Sequence, residues 1–361
     1  MNNYSIKLND IKEIDTQNMF DILKSFPKQV IEAIEIGKNT PSFENIGSNK
    51  LYILGMGGSA IGGDLISNLL NNTEGADNLF VCVNRNYTLP GSINENSNVI
   101  VSSYSGGTEE TLSAFDFALS KTRNIICICS GGELYNKANA NNIPTVLIPK
   151  GYQPRAALGY SFLPILYIIL KSNLINQSAK NNILKQLEEI SHLLEEKSIL
   201  YSNITDKNNY ALNISQKIYD TIPIIYSSSD RLSAVNFRWR CQIQENAKNM
   251  AFGNLLPEMN HNEINSWSYP HYLSQHFSMI LLIDKDDHQR IKHRFNALKN
   301  ILDDQFATII TVESEYHYFL HRIFDLIYLG DWISYYLAIL NRVDPTPIPI
   351  ISKLKNYLQS I

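Results

Sequence analysis

Residues 51–64 read LYILGMGGSAIGGD. An apolar run, Leu51–Leu54, stops at Gly55-Met56-Gly57-Gly58-Ser59-Ala60, and helix-compatible residues follow. The pattern predicts a buried strand, a tight turn and a helix start, whose backbone N–H groups would face an anion. Gly55, Gly57 and Ala60 also fit the G-x-G-x-x-G/A turn of dinucleotide-binding folds. Such a fold places a carboxylate at the end of its second strand to hold the ribose hydroxyls. Here that strand ends Val83-Asn84-Arg85, so a dinucleotide reading survives only with Arg85 on a 2′-phosphate, as in an NADP-dependent oxidoreductase.

Outward from this stretch the rhythm repeats. Leu79–Val83, Val99–Ser102, Ile125–Cys129 and Thr145–Ile148 are further short β-rich runs, separated by segments of helical spacing such as Ile61–Leu70 and Glu109–Leu119. Strands alternating with helices predict a parallel sheet covered on both faces. After the mostly apolar helical stretch Arg155–Leu170 comes a polar segment, 176–182, read as the domain boundary. The second half continues with helices near 183–200, 232–249, 288–302 and 316–340, and strands Ile222–Tyr226, Met279–Ile283 and Thr308–Val312. The expectation is an α/β protein of two domains, 1–175 and 176–361.

Composition narrows the function classes. The chain has 361 residues, 44% hydrophobic and 18% charged, in the globular range. A net charge of −4 with no basic block argues against a nucleic-acid partner. The sequence MNNYSIKLNDIKEID lacks the apolar core of a secretory leader. The apolar stretch Phe162–Leu170 is too short to span a bilayer. A cytoplasmic location without membrane contact is expected. Cys82, Cys127, Cys129 and Cys241 form no CxxC pair and read as reduced thiols.

The third strand leads into Ser103-Tyr104-Ser105-Gly106-Gly107-Thr108-Glu109-Glu110. Ser103, Ser105 and Thr108 crowd hydroxyls into one strand-to-helix turn, which suits a phosphate. Glu109 and Glu110 are simpler as first-turn acids of the helix, and Ser105 or Thr108 could serve only as its cap. Two such turns at the carboxyl ends of strands in one sheet favour a ligand, since ligands bind there in open α/β sheets.

GMGGSAIGGD followed by SYSGGTEET resembles a sugar isomerase (SIS) domain, which binds phosphosugars. Gln153–Gly159, Glu245–Lys248, Leu256–Glu263 and Asp344–Pro347 leading to Lys353 resemble the bifunctional phosphoglucose/phosphomannose isomerases of archaea and bacteria. The resemblance covers roughly residues 50–355. It implies two SIS-type domains, each a parallel sheet flanked by helices on both faces, with no cofactor. It implies interconversion of glucose 6-phosphate, and of mannose 6-phosphate as well, with fructose 6-phosphate. Gly107 departs from the asparagine usual in the family.

The resemblance assigns Gly58, Ser59, Ser103, Ser105 and Thr108 to the phosphosugar, Glu245 to the base, and Arg155 to the enediolate oxygen. It gives His261 and Lys353 to ring opening, and Thr346 to the space around C2. It also implies a homodimer in which His261 enters the neighbouring subunit's site. The chemistry asks for such groups: a carboxylate base, a cation for the oxyanion and an acid–base pair. Taken alone, Glu245 and Arg155 would be solvated side chains and Thr346 a rigid turn between prolines. Glu258, His261 and Glu263 lack a second histidine or cysteine at ligand spacing, so no metal is expected. Ser227–Ser229 reads as a strand-end loop, leaving one site per chain. Rival classes are a non-catalytic phosphosugar sensor, which would carry a helix-turn-helix that residues before Leu51 do not suggest, and the isomerase half of an amidotransferase.

Overall fold

The computed structural model describes residues 6–44, 48–358 and 360. Its contacts divide the chain into two units, elsewhere than the 175/176 boundary expected above. One comprises Ser25–Glu195 with Tyr316–Phe324; the other takes the chain up to Lys24, Glu196–Glu315 and Asp325 onward. The polar segment 176–182 is no linker. It begins α8 (Gln177–Ser202), whose exposed face its amides occupy.

The first unit holds a five-stranded parallel sheet in the order β2-β1-β3-β4-β5. Its strands are β1 (Lys50–Leu54), β2 (Phe80–Asn84), β3 (Asn98–Ser103), β4 (Ile125–Cys129) and β5 (Thr145–Leu147). Every residue of β3 and β4 is buried, as continuous apolar runs require of strands covered on both faces. The edge strands β2 and β5 are partly exposed. Helices α4 (Gly57–Asn71), α5 (Glu109–Leu119) and α6 (Gly132–Ala140) connect them, and α3 (Phe26–Lys38) packs on α7 (Leu158–Lys171). Cys127 and Cys129 sit in the core; Cys82 and Cys241 are half-buried, and all four are free thiols.

The second unit holds four parallel strands, β7-β6-β8-β9: β6 (Ile222–Ser228), β7 (Phe252–Leu256), β8 (Phe277–Ile283) and β9 (Thr308–Glu313). β7 has no counterpart among the strands expected from sequence. Its FGNLL carries Gly253 and Asn254, poor strand formers, and it pairs only at the sheet edge. The helices of this unit are α9 (Tyr210–Ile218), α10 (Ser233–Asn246), α11 (Gln289–Ile301), α13 (Pro349–Leu358) and most of α12 (Phe319–Leu340). α12 is long and apolar enough to cross a membrane by composition alone, but 94% of that stretch is buried in the protein.

This unit is completed from the other end of the chain by α1 (Leu8–Ile14) and α2 (Met19–Lys24). Asp15 caps α2 by accepting from the N–H groups of Met19 and Phe20, both at 2.8 Å, and from the Tyr335 hydroxyl at 3.2 Å. Phe20 meets Trp332 edge-on at 5.3 Å, and Met19 and Leu23 are buried.

The carboxyl end of this second sheet is acidic. Ser227 and Ser228 complete β6 as buried residues rather than forming a loop. The Ser228 hydroxyl donates to Asp287 at 2.5 Å, and Arg231 pairs with the buried Asp284 at 2.7 Å. An anion there would meet carboxylates. Burial pushes the Asp287 carboxyl up to about 6, with Asp284 and Asp230 adding to the rise and two hydrogen bonds opposing it. A carboxyl raised in the folded state stabilises below its unfolded pKa and loses that contribution as pH rises toward 6. Asp287→Asn should therefore gain about 2 kcal/mol on wild type between pH 4 and pH 7 in denaturant unfolding. A difference that stays flat with pH would show an ordinary carboxylate.

Candidate active site

In the first sheet the chain leaves β1 toward β2 on one side, while β3 lies on the other. The crevice between the carboxyl ends of β1 and β3 is thus the topological switch point, where open α/β sheets bind ligands. Both glycine–hydroxyl turns stand there, and the amino ends of α4 and α5 open onto it.

The two turns are laced together. The Ser59 hydroxyl, buried at the start of α4, accepts from the Tyr104 N–H at 2.9 Å. Ser103 donates to the Thr108 hydroxyl at 3.0 Å, and Ser105 accepts from the Gly107 N–H at 3.2 Å. Thr108 occupies the cap position of α5, yet its hydroxyl makes no capping bond. The simple cap reading of Thr108 therefore falls. Gly106 takes φ +68° and lies against the Gly131 carbonyl, where no side chain fits. At Gly107 a side chain would meet nothing within 4 Å, so the departure from asparagine leaves open space and strains nothing.

Arg155 belongs to a 3₁₀ turn, Pro154–Ala156, just ahead of α7. A Cβ on Gly58 would stand 2.6 Å from the Pro154 carbonyl and 3.1 Å from the Arg155 nitrogen. Glycine at 58 is what lets the Arg155 turn close onto the first phosphate turn. Arg155 is only 4% exposed, so it is not a solvated surface arginine.

Three contributors escape the sequence pattern. The Tyr104 hydroxyl donates to Pro149 and accepts from Tyr152 N–H, both at 2.9 Å, tying the second turn to the Arg155 loop. Gln29, from α3, donates to the Ala156 carbonyl and accepts from Gly159 N–H, both at 2.9 Å. Ser130-Gly131-Gly132, after β4, donates to the Tyr104 carbonyl through the serine. Its glycine–hydroxyl form repeats the other two turns, the one signal by which it is legible. Arg85 pairs with Asp64 of the opening motif. The cation that an NADP reading needs is thus already engaged.

The remaining candidates lie in the second unit. Glu245, half-buried, is the last residue but one of α10. A carboxylate there opposes the helix macrodipole, so local stability does not explain it. The opposite face of α10 is bolted to α12: Arg238 and Gln242 each bond Asp331 at 2.7 Å, and Asn246 bonds Ser334 at 2.9 Å. Trp239 donates to the Leu326 carbonyl at 2.8 Å across the space that Gly330 leaves. Glu245 lines a cleft of about 560 Å³ with Cys241, Lys248, Phe252 and Ile348–Ile351.

Thr346 is buried beside that segment, its N–H donating to Asp344 at 2.9 Å. Lys353 is exposed on α13, which buries none of its residues. His261 is exposed at the end of a 3₁₀ turn, Glu258–His261, anchored by buried Met259. Neither His261 nor Lys353 lines the Glu245 cleft. Glu263 is taken up by Tyr226 and Asn254, both at 2.6 Å. Among the described residues no group of three metal-ligating side chains comes together. Cleft size alone marks nothing: one of about 750 Å³, lined by Phe43, Arg123 and Lys171, opens at the amino ends of β3 and β4, away from the hydroxyl turns.

Comparison with known proteins bears on the family. The family profile of the bacterial phospho-glucose isomerase C-terminal SIS domain matches residues 207–358. The chain is similar to the bifunctional phosphoglucose/phosphomannose isomerase of Caldicellulosiruptor bescii, 38% identical over 95% of this chain and 99% of that one. Its counterpart in Aquifex aeolicus is 33% identical over the same shares. The fold is similar to the C-terminal domain of glucosamine-fructose-6-phosphate aminotransferase from Francisella tularensis, at TM-score 0.69 and 14% identity, covering 91% and 97% of the two chains. Two parallel sheets of SIS type, hydroxyl turns at a switch point and identity of this extent end to end lead to one conclusion: the chain belongs to the bifunctional phosphoglucose/phosphomannose isomerase family.

Proposed function

We propose that the protein interconverts glucose 6-phosphate and mannose 6-phosphate with fructose 6-phosphate, moving a proton between C2 and C1 through a cis-enediolate. The observation that carries this reading is the pair of laced hydroxyl turns at the switch point, with Arg155 packed against the first of them. In it Gly58, Ser59, Ser103, Ser105 and Thr108 hold the phosphosugar, and the fixed guanidinium of Arg155 meets the enediolate oxygen. Glu245 takes and returns the proton, and His261 and Lys353 open the ring. The four free thiols accord with a reducing compartment, and the reading includes a cytoplasmic location.

The test is a coupled assay on purified protein with each aldose phosphate. Activity that survives EDTA is expected. Activity abolished by EDTA and restored by zinc would overturn the mechanism, and its absence in every preparation would leave a phosphosugar sensor. The reading also has a homodimer with His261 supplied in trans. Mixing Glu245→Gln with His261→Ala subunits should then restore part of the activity, because one heterodimer site receives both intact residues. No recovery after verified subunit exchange would refute sharing.

Thr346 governs C2 in this reading, since one base must reach a proton presented from either configuration. Thr346→Gln adds bulk at a buried position. It should lower turnover of mannose 6-phosphate more than of glucose 6-phosphate, by roughly tenfold in their ratio. An unchanged ratio would remove Thr346 from substrate choice.

A further inference from the structure

Lys248 sits where a lysine is hard to accommodate. It follows Ala247, the C-cap of α10, and takes φ +51°. That left-handed position after a helix usually falls to glycine, because a Cβ there crowds the backbone. Its side chain supplies the compensation. The Lys248 ammonium donates to the Asn246 carbonyl at 3.1 Å and to the Asp344 carbonyl at 2.6 Å. Asp344 in turn holds the Thr346 N–H at 2.9 Å through one carboxylate oxygen, and accepts from the Thr16 hydroxyl through the other. A single cation thus links the helix end that carries Glu245 to the turn that carries Thr346, across 96 residues of sequence.

We propose that Lys248 is a positioning residue for the isomerisation, fixing the base-bearing end of α10 against the Asp344–Pro347 turn. This rests on the functional reading above, in which Glu245 is the base and Thr346 borders C2. Lys248 touches neither reacting carbon; it acts through the two carbonyls. The helix end has other anchors that do not depend on it: Asn341 donates to the Ala247 carbonyl at 3.1 Å, and Asn249 to the Thr221 carbonyl at 3.0 Å. Loss of the ammonium should therefore loosen the relation between helix end and turn without unfolding either. A base displaced by a fraction of an ångström is costly to proton transfer but not to phosphate binding.

Three variants separate this from a structural role. Lys248→Gly removes the ammonium and relieves the backbone, Lys248→Met removes only the ammonium, and Lys248→Arg keeps a cation with donors. The Gly variant should melt at or above wild type while kcat falls about tenfold, KM stays within about threefold, and the mannose-to-glucose ratio moves by at least about threefold. Met should match that kcat loss, and Arg should recover most of it. Amide hydrogen exchange at Thr346 should quicken in Gly and Met but not in Arg. Wild-type kcat and ratio in Gly and Met, or kcat losses that only track melting temperature, would overturn the proposal. If wild-type protein isomerises neither sugar, the functional reading fails, and unchanged exchange at Thr346 would separately refute the link itself.

Discussion

Glu245→Gln is expected to lower kcat for glucose 6-phosphate by at least ~10², with KM within about threefold. Glutamine keeps the length and hydrogen-bonding reach of the side chain but cannot accept a proton from carbon. In this reading serine and threonine hydroxyls hold the substrate's phosphate, and the change leaves them as they are. Helix α10 should stay in place, because Arg238, Gln242 and Asn246 anchor its far face to α12. The variant should also fail to exchange the C2 proton with solvent deuterium. Retention of most turnover would move the base to another residue.

The second large effect concerns stability. Asp331 is buried, paired with Arg238 at 2.7 Å and bonded by Gln242 at 2.7 Å. Burial raises its pKa, and the guanidinium works against that rise. Asp331→Ala removes the carboxylate paired with Arg238, which is 3% exposed. Breaking such a pair from one side costs about 3–5 kcal/mol, or roughly 10 °C in melting temperature for a unit of this size. Replacing both members, Arg238→Met with Asp331→Leu, should recover much of the loss, because two desolvated charges leave together. A loss under about 1 kcal/mol in the single variant would show that the pair is hydrated.

Much of this was readable from residues in order. Runs that are apolar throughout, Val99–Ser102 and Ile125–Cys129, became β3 and β4, since a strand buried on both faces leaves no other pattern. The hydroxyl turns were legible because glycine at Gly106 and at Gly58 answers a local steric need. β7 was not, because edge pairing rather than residue preference holds Phe252–Leu256 in the sheet. Tyr104, Gln29 and Lys248 were also hidden. Their partners lie 45, 127 and 96 residues away, and no local periodicity encodes such bonds. The unit boundary failed to show for the same reason: a polar segment reads alike on a linker and on the wet face of α8.

The pairing of α1 and α2 with α12 sets an order on biosynthesis. Asp15 and the hydroxyl of Tyr335 are 320 residues apart. At about 5–20 residues per second, roughly 15–60 s separate the emergence of the two from the ribosome. Throughout that interval Phe20 lacks the rings of Trp332 and Tyr335 against which it packs, whereas the strands β1 to β5 are made in one continuous run. Helices α1 and α2, translated well before α12, thus complete their docking only once α12 has emerged. A nascent chain stalled before α12 should expose them to chaperones and proteases.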